Sequence, residues 1–283
     1  MHLNDVRSLL FVPATSESLW AKAAERGADA IIIDLEDGVS VALKDQARVM
    51  ARRAIEALAD VIPVLVRVNA PRDMFALDIG ALPLPRLHGV LLPKVESPQD
   101  VQALAACIDR HSAPDSSGLP IAALIETPLG VMQAQSIATA HPRVAALGFG
   151  AEDYATDMGV PAEPQSLLWA AQAVTCCARA YRLACWGLPG SIAQINDMAA
   201  FASLVRLARN TGFSGTACIH PRQVPVANAG FGPSDDELAW ARSVVAADDE
   251  ARSRGLAVVT LDGRMIDRPV VERARNWLRV ENQ

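Results

Sequence analysis

Eight short runs of apolar residues recur along this chain, and they constrain its fold more than any other feature. Several are nearly continuous, as between Ile31 and Ile33 and between Val64 and Val66. Runs without polar alternation are typical of strands that are buried on both faces, as in a parallel sheet. The runs cover residues 8–12, 30–35, 64–68, 89–92, 121–125, 145–149, 183–186 and 215–219.

Segments with helical periodicity separate most of these runs. Alternating strands and helices indicate an α/β fold with a parallel sheet, and the count of eight favours a closed barrel over an open sheet. No G-x-G-x-x-G motif follows the first run, which argues against a dinucleotide-binding fold. The predicted helices cover residues 15–26, 44–59, 98–110, 128–140, 164–181, 195–210, 234–254 and 269–280.

We therefore predict a (β/α)8 TIM barrel over residues 1–232, followed by a C-terminal helical extension over residues 233–283. The length of 283 residues and the apolar content of 51% suffice for a barrel of about 250 residues with a tail. Residues 113–118 are predicted to form a polar loop within the barrel domain.

Charge and cysteine content exclude several kinds of partner. The net charge of −6 and the lack of a basic face argue against a nucleic-acid partner. The first apolar run ends at Pro13 and is too short for a signal peptide or a membrane span, so we expect a cytoplasmic protein. The five cysteines include no C-x-x-C pair, which favours buried thiols over disulfides or a zinc site.

Charged and polar side chains follow almost every apolar run. In a β/α barrel the active site forms at the carboxyl ends of the strands, so these side chains are expected to converge. Crowded carboxylates repel one another and lose hydration unless a cation neutralises them. The residues are Asp34, Glu36, Asp37, Arg67, Asn69, Lys94, Glu96, Glu126, Glu152, Asp153 and His220.

Glu126 and Asp153 are the preferred metal ligands, because they end the neighbouring fifth and sixth strands. Two carboxylates together with waters and substrate oxygens suit Mg²⁺, which prefers oxygen ligands and keeps several waters. Alternatively, each carboxylate caps a helix or belongs to an ion pair at the rim of the barrel.

Three further residues have two possible roles each. Arg67 is a candidate for binding a substrate carboxylate, or it forms a buried ion pair with Asp34 or Glu36, and both can hold at once. Lys94 could form a Schiff base with a carbonyl substrate, although an ammonium group that neutralises a nearby carboxylate is favoured. His220 is either a general acid or a loop residue with a capping role.

Eight segments carry a resemblance to a known family. In the expected order, they resemble the citrate lyase β-subunit-like branch of the HpcH/HpaI aldolase superfamily, which includes malyl-CoA lyases and related CoA-ester lyases. The segments are residues 7–13 (RSLLFVP), 27–37 (GADAIIIDLED), 66–69 (VRVN), 92–97 (LPKVES), 124–127 (LIET), 149–153 (FGAED), 218–221 (CIHP) and 263–269 (GRMIDRP).

The resemblance implies a TIM barrel that assembles as a trimer or hexamer, with Mg²⁺ held by Glu126 and Asp153. It also implies that the C-terminal extension, residues 233–283, is an active-site lid that caps the active site of a neighbouring subunit, where Asp267 acts as the base. We accordingly assign Asp267, Arg67, Asp37 and Glu36 to catalysis, Arg67, Glu126 and Lys94 to substrate binding, and Glu126 and Asp153 to the metal.

The implied activity is Mg²⁺-dependent cleavage or formation of a carbon–carbon bond in a β-hydroxyacyl-CoA ester. Malyl-, methylmalyl- and citramalyl-CoA are candidate substrates, and the products are a 2-keto acid and an acyl-CoA. Three alternatives remain open. They are a metal-dependent aldolase acting on free 2-keto acids, a Schiff-base aldolase using Lys94, and a citrate lyase β-subunit-like component that works with an acyl-carrier partner.

The chain departs from the family pattern at several positions. Ala14 stands where many relatives have glycine, and Thr216 stands where many have lysine. Residues 188–192 (LPGSI) replace a segment that is acidic in relatives. These departures leave the CoA portion and the acyl group of the substrate less well defined than the metal or the fold.

Overall fold

The computed structural model describes residues 2–112, 118–193, 195–256 and 258–281. The chain divides into two compact units, Met1–Phe231 and Gly232–Gln283. Residues 113–117 of the predicted polar loop lie outside the described residues. In the described part of the chain, no helix combines the length and the apolar character needed to cross a membrane.

The first unit is built on eight parallel strands, which confirms the predicted barrel. The strands pair in chain order from β1 to β7, and β8 pairs with β1. Between β7 and β8, a parallel bridge joins Trp186 to Gly215. The strands are β1 Ser8–Pro13, β2 Ala30–Asp34, β3 Val64–Arg67, β4 Gly89–Leu92, β5 Ile121–Ile125, β6 Val144–Phe149, β7 Ala184–Gly187 and β8 Thr216–Cys218.

Alternate residues of the strands are buried in two separate clusters. Leu9, Ile32 and Leu65 belong to a small cluster made of residues from successive strands, which fills the barrel interior. Their neighbours Ile31 and Ile33 belong to the larger cluster that includes residues of the surrounding helices. Because successive side chains of a strand point to opposite faces, a continuous aliphatic run supplies both clusters at once.

Helices of the first unit cover the outside of the barrel. The predicted helix over residues 15–26 is replaced by the short α1 and a 3₁₀ turn, Ala23–Arg26, since only Trp20 and Ala23 are buried there. The predicted helix over residues 128–140 is split in two at Gln133. The helices are α1 Glu17–Trp20, α2 Lys44–Leu58, α3 Arg72–Ala81, α4 Pro98–His111, α5 Pro128–Met132, α6 Ala134–Ala138, α7 Ala151–Met158, α8 Pro164–Ala180, α9 Met198–Thr211 and α10 Gln223–Phe231.

The second unit consists of two helices and a hairpin. α11 (Asp235–Ser253) begins with a capping box formed by Ser234 and Glu237. The hairpin, β9 (Val259–Leu261) and β10 (Arg264–Ile266), turns at Asp262 and Gly263, which both have positive φ, as an Asp-Gly turn between paired strands requires. The last helix is α12, Arg268–Glu281, and the unit has its own apolar core around Val244 and Val271.

Candidate active site

A cavity of about 490 Å³ opens at the carboxyl ends of the barrel strands. Its lining includes four of the predicted site residues, Asp37, Arg67, Glu126 and Asp153. Glu36 and Lys94, which are also predicted, lie next to these residues through ion pairs with Arg67 and Asp37. This end of the barrel thus brings together Glu36, Asp37, Arg67, Lys94, Glu126 and Asp153, whereas Asn69, Glu96 and His220 do not line the cavity.

The cavity wall has two parts of different chemistry. We name the charged part, at the ends of β2 to β6, the polar arc. The other part, at the ends of β7, β8 and β1, is the apolar arc. The polar arc comprises the lining residues Asp34, Asp37, Arg67, Glu126, Glu152 and Asp153, together with Glu36 and Lys94, which ion pairs join to them. The apolar arc comprises Phe11, Pro13, Trp186, Leu188, Ile192, Ala217 and Ile219, with Thr216 among them.

Arg67 is held in place by Asp34, which lies opposite it in the pairing of β2 and β3. The Nε and Nη2 groups donate to the two carboxylate oxygens of Asp34 over 2.7 and 2.8 Å. The same carboxylate accepts the backbone N–H groups of Glu36 and Gly38. Burial alone would raise the pKa of Asp34, but these four donors bring it below the ordinary value, so the carboxylate stays ionised.

The outer edge of the Arg67 guanidinium remains available. Among the described residues, the hydrogen bonds of Arg67 go to Asp34 alone, and a guanidinium carries five N–H groups. Glu36 Oε2 lies 2.9 Å from Nη1, without the alignment of a hydrogen bond. The Phe11 ring packs against the guanidinium face at 4.7 Å. Arg67 therefore forms the ion pair with Asp34 and still offers N–H groups to a ligand.

Lys94 is an ammonium group within a network of carboxylates. Its Nζ lies 2.6 Å from Glu36 Oε1 and 3.5 Å from Asp37 Oδ2. Burial would lower the pKa of Lys94, but the contact with Glu36 raises it above the ordinary lysine value. Burial also raises the pKa of Glu36, against the opposing effects of Arg67 and Lys94. An ammonium group with a raised pKa is a poor Schiff-base nucleophile, so the structure favours the neutralising role for Lys94.

Glu126 is a deeply buried carboxyl group of the cavity, with 4% of the residue exposed. It follows β5, and its Oε2 accepts the backbone N–H of Lys94 over 2.8 Å. Lys94 has a φ of 53°, and this unusual backbone conformation directs its N–H towards Glu126. The pKa of Glu126 is raised to about 7, chiefly by burial. The Lys94 N–H and the Arg67 charge oppose this rise, and the carboxylates of Asp153 and Glu36 add to it.

Gly150 leaves the space that Glu126 occupies. A Cβ atom on Gly150 would lie 2.4 Å from Glu126 Oε1 and 2.6 Å from its Cγ, which is closer than real contacts allow. Gly150 stands between β6 and α7. The carboxylate of Glu126, which follows β5, therefore packs against the start of α7. Glycine is therefore required here by close packing rather than by a positive φ.

Asp153 lies in the first turn of α7, a helix that the sequence patterns did not predict. Its carboxylate is near enough to Glu126 to raise the pKa of that group. Two adjacent carboxylates, one of them buried and disfavoured as an anion, form a donor set that fits a hard dication with oxygen ligands. No group of three or more His, Cys, Asp or Glu side chains suited to a metal occurs among the described residues.

The apolar arc depends on one buried amide. Gln223 is fully buried, and its Oε1 accepts the backbone N–H groups of Ile219 and His220 over 2.9 and 3.1 Å. Its Nε2 donates to the carbonyl of Ile192 over 2.7 Å. One side chain thus joins the loop after β8 to the loop after β7. The sequence patterns gave no signal for Gln223, and Gly150 appeared only as part of the segment 149–153.

His220 and Asp267 both have capping roles. His220 Nδ1 accepts the backbone N–H of Arg222 over 3.1 Å, as expected for a residue that caps a loop. Asp267, in the second unit, follows β10 and precedes α12. Its Oδ1 accepts the N–H of Val270 over 3.3 Å, so it caps this helix.

Comparison with known proteins identifies the family. Over residues 7–221 the chain matches the sequence model of the HpcH/HpaI aldolase/citrate lyase family. The chain belongs to this family. The resemblance that the eight segments carry is thereby confirmed, and the family is one of lyases.

Relatives of the chain are similar over nearly their whole length. The citrate lyase subunit beta of Leuconostoc mesenteroides subsp. cremoris is 34% identical, with 98% of this chain and 93% of that protein covered. A (3S)-malyl-CoA thioesterase of Cereibacter sphaeroides is 33% identical, with 96% and 93% covered. The structure of CitE from Mycobacterium tuberculosis, in complex with magnesium, acetoacetate and coenzyme A, matches with a TM-score of 0.78 and 29% identity, covering 99% of this chain and 100% of that chain.

Proposed function

We propose that this protein is a Mg²⁺-dependent carbon–carbon lyase that cleaves or forms β-hydroxyacyl-CoA esters such as malyl-, methylmalyl- or citramalyl-CoA. The products of cleavage are a 2-keto acid and an acyl-CoA. The observation that carries the proposal is the buried Glu126 carboxyl group with its raised pKa, next to Asp153 and on the same cavity wall as Arg67. This combination suits a dication and an anionic ligand that share the cavity.

Glu126 and Asp153 would hold the metal ion. When bound there, Mg²⁺ supplies a Lewis acid that lowers the pKa of a substrate hydroxyl group. The Gly150 backbone and the Lys94 N–H fix the position of Glu126, so the ligand is ordered before any metal arrives.

Arg67 binds and orients the substrate carboxylate next to the hydroxyl-bearing carbon. Asp34 fixes the plane of the guanidinium through two hydrogen bonds, so little side-chain freedom is lost when the substrate binds. Glu36 and Asp37 hold the Lys94 ammonium group beside Arg67, and the two cations together favour an anionic ligand. We retain Glu36 and Asp37 as proposed catalytic residues and Lys94 as a proposed substrate-binding residue.

Asp267 is proposed to accept the proton of the substrate hydroxyl group. The bond between the hydroxyl carbon and the α-carbon of the thioester then breaks, and its electron pair forms the thioester enolate. Protonation of that enolate at the α-carbon gives the acyl-CoA. We propose that the residues of the second unit act on the cavity of a neighbouring subunit as a lid, so the active protein would be a trimer or hexamer.

The relatives support this proposal and also favour a second candidate. A malyl-CoA thioesterase and a structure with magnesium and coenzyme A are similar over nearly the whole chain, which favours a CoA ester. The citrate lyase subunit beta of Leuconostoc mesenteroides is equally similar, which favours a component that works with an acyl-carrier partner. Activity on free CoA esters without any partner would separate the two.

The test is a panel of malyl-, methylmalyl- and citramalyl-CoA, with Mg²⁺ and with EDTA, in which glyoxylate or pyruvate release is measured. We expect at least one ester to be cleaved with Mg²⁺ and none with EDTA. Lack of turnover of every ester with Mg²⁺ present would contradict the CoA-ester proposal. Release of a 2-keto acid from a free 2-keto-3-deoxy acid instead would support the aldolase alternative.

A separate test addresses the Schiff-base alternative. If Lys94 formed a Schiff base, borohydride added with substrate would trap a covalent adduct on Lys94, and a Lys94→Ala variant would show none. We expect no adduct in either protein, because the Lys94 ammonium group is paired with Glu36.

A further inference from the structure

The loop after β2 carries two of the proposed catalytic residues, Glu36 and Asp37. The Asp34 carboxylate binds one side of this loop, since it accepts the backbone N–H groups of Glu36 and Gly38 over 3.0 and 2.9 Å. Leu35 and Glu36 are both buried, with 1% and 6% of each residue exposed. Their backbone carbonyl groups therefore need hydrogen-bond partners within the protein.

Lys44 is a partner of both carbonyl groups. Its Nζ donates to the carbonyl oxygen of Leu35 over 2.6 Å and to that of Glu36 over 2.7 Å. Hydrogen bonds from an ionised donor are shorter and stronger than those between neutral groups. Lys44 is the first residue of α2, so its side chain connects two successive peptide groups of the loop to a helix on the outside of the barrel.

The position of Lys44 is unfavourable for α2 itself. A cation in the first turn of a helix is repelled by the positive end of the helix dipole. Burial also lowers the pKa of Lys44, although Asp34, Asp78 and Glu36 oppose this effect, so the ammonium group has lost part of its hydration. Helix stability and solvation thus both disfavour a lysine here, and the two hydrogen bonds to the loop offset these costs.

Lysine is rare in this chain, since Lys22, Lys44 and Lys94 are the only three among 283 residues. Lys22 is exposed, whereas the other two both contact Glu36. Lys44 binds the backbone carbonyl of Glu36, and the Nζ of Lys94 lies 2.6 Å from the carboxylate oxygen Oε1. The backbone and the side chain of Glu36 are therefore each held by a lysine ammonium group.

We infer that Lys44 is a positioning residue for the polar arc. By holding the backbone of the loop, it places the Glu36 carboxylate against Lys94 and 2.9 Å from Nη1 of Arg67. Its effect on the reaction is exerted through Glu36 and the two cations that are proposed to bind the substrate, so this part of the inference rests on the proposed function. Without Lys44, two buried carbonyl groups would lose a partner, and the loop would move to hydrate them.

Hydrogen–deuterium exchange of the whole protein, read by mass spectrometry, tests the positioning without any substrate. Lys44→Met keeps the apolar stem of the side chain but removes the ammonium group. We expect the hydrogen-bonded amide groups of Glu36, Gly38 and Val39 to exchange at least about tenfold faster in this variant. Helix α8, elsewhere in the barrel, should exchange at an unchanged rate. Lys44→Arg keeps a cation with several donors and should stay within about threefold of the unaltered protein.

An unchanged exchange rate in the loop of Lys44→Met overturns the inference. Equal acceleration in α8 also overturns it, because Lys44 would then stabilise the fold as a whole. Acceleration in Lys44→Arg as large as in Lys44→Met overturns it as well, because a cation with its donors would then not hold the loop. If Lys44→Met does not fold, the same comparison is made with Lys44→Gln, which is too short to reach both carbonyl groups.

Kinetics with a cleaved ester test the link to the reaction. Because Arg67 and Lys94 are proposed to bind the substrate in the ground state and the transition state alike, Lys44→Met should raise KM by about tenfold and change kcat by less than about threefold. Lys22→Met removes the exposed lysine and is the matched control, which should leave both values unchanged. An unchanged KM together with accelerated loop exchange overturns the link to the reaction. Should the unaltered protein cleave no ester, the lyase proposal fails, and the exchange experiment still decides the role of Lys44.

Discussion

The two arcs of the cavity wall are stabilised by different physical interactions. In the polar arc, Asp34, Arg67, Glu36 and Lys94 form a continuous network of charges, and each charge alters the pKa of its neighbours. In the apolar arc, one neutral residue, Gln223, holds two loops through short hydrogen bonds. Electrostatic effects extend over several residues, whereas hydrogen bonds and packing act locally. Substitutions in the polar arc should therefore alter metal binding, substrate binding and pH dependence together, and those in the apolar arc should leave the affinity for Mg²⁺ unchanged.

The largest effect is expected for Glu126→Gln, which removes a charge but keeps the shape of the side chain. Loss of a proposed metal ligand should lower kcat/KM by about 10³-fold, which corresponds to about 4 kcal/mol of transition-state stabilisation. Steady-state kinetics and Mg²⁺ titration would measure it. The control is Asp157→Asn, which removes an exposed carboxylate of α7 outside the cavity. It should leave kcat/KM and the affinity for Mg²⁺ unchanged. Full activity of Glu126→Gln would refute the metal assignment.

Arg67→Lys tests whether the geometry of the guanidinium matters, because the charge is retained. Lysine cannot make the two parallel hydrogen bonds to Asp34 or present a planar fork to the substrate. We expect kcat/KM to fall by about 10²-fold and stability to fall by about 2 kcal/mol, since the buried Asp34 loses part of its pairing. Kinetics and urea unfolding would measure the two effects. If the variant retained the activity of the unaltered protein, the fork would not bind the substrate.

The pH dependence of stability without metal provides a third test. The pKa of Glu126 is about 7 in the folded protein against 4.5 in the unfolded chain, so the folded state binds more protons between these values. The contribution of Glu126 to the free energy of unfolding is fully present below pH 4.5 and is lost as the pH rises through 7. In EDTA, Glu126→Gln should thus gain little stability at pH 5 and about 3 kcal/mol at pH 8.5. Urea unfolding at both pH values would measure it, and an equal gain at both would contradict the pKa.

Gly150→Ala tests the support of Glu126 without changing any charge. The added methyl group would lie 2.4 Å from Glu126 Oε1, so the carboxylate must move. Mutation of the groups that orient a metal ligand commonly lowers the metal affinity by about 10-fold to 100-fold. Mg²⁺ titration would measure this, with Gly118→Ala, where nothing lies within 4 Å of the new Cβ, as the control. Equal affinities in the two variants would mean that Glu126 has room to adjust.

The fold was largely predictable because its strands carry strong local signals. The aliphatic runs of residues 89–92 and 121–125 coincide with β4 and β5. α7 was not predicted, since it has eight residues and its acidic first turn resembles a loop. The hairpin of β9 and β10 was also missed, because three-residue strands are too short to show an apolar periodicity.

The site was predictable only as a set of residues. Arg67, Glu126 and Asp153 could be selected from the sequence because the active site of a β/α barrel forms at the carboxyl ends of its strands. Their arrangement was not predictable, because the Asp34 pairing and the Gly150 contact depend on which neighbouring segments meet in space. Gln223 illustrates the same limit, since its partner Ile192 lies 31 residues away in the chain.

The smallest effect is expected for Gln223→Met, which removes the hydrogen bonds of the apolar arc but keeps a side chain of similar length. The N–H of Ile219 and the carbonyl of Ile192 would lose their partners, at a cost of about 1 to 3 kcal/mol in stability. Because no charge changes, the affinity for Mg²⁺ should stay the same, while kcat/KM for an alkyl-bearing ester such as citramalyl-CoA falls by about fivefold. Parallel Mg²⁺ titration and ester kinetics would check both. If the affinity for Mg²⁺ also fell about fivefold, the two arcs would be coupled. The loss of the Gln223 hydrogen bonds would then move the barrel rim as far as Glu126.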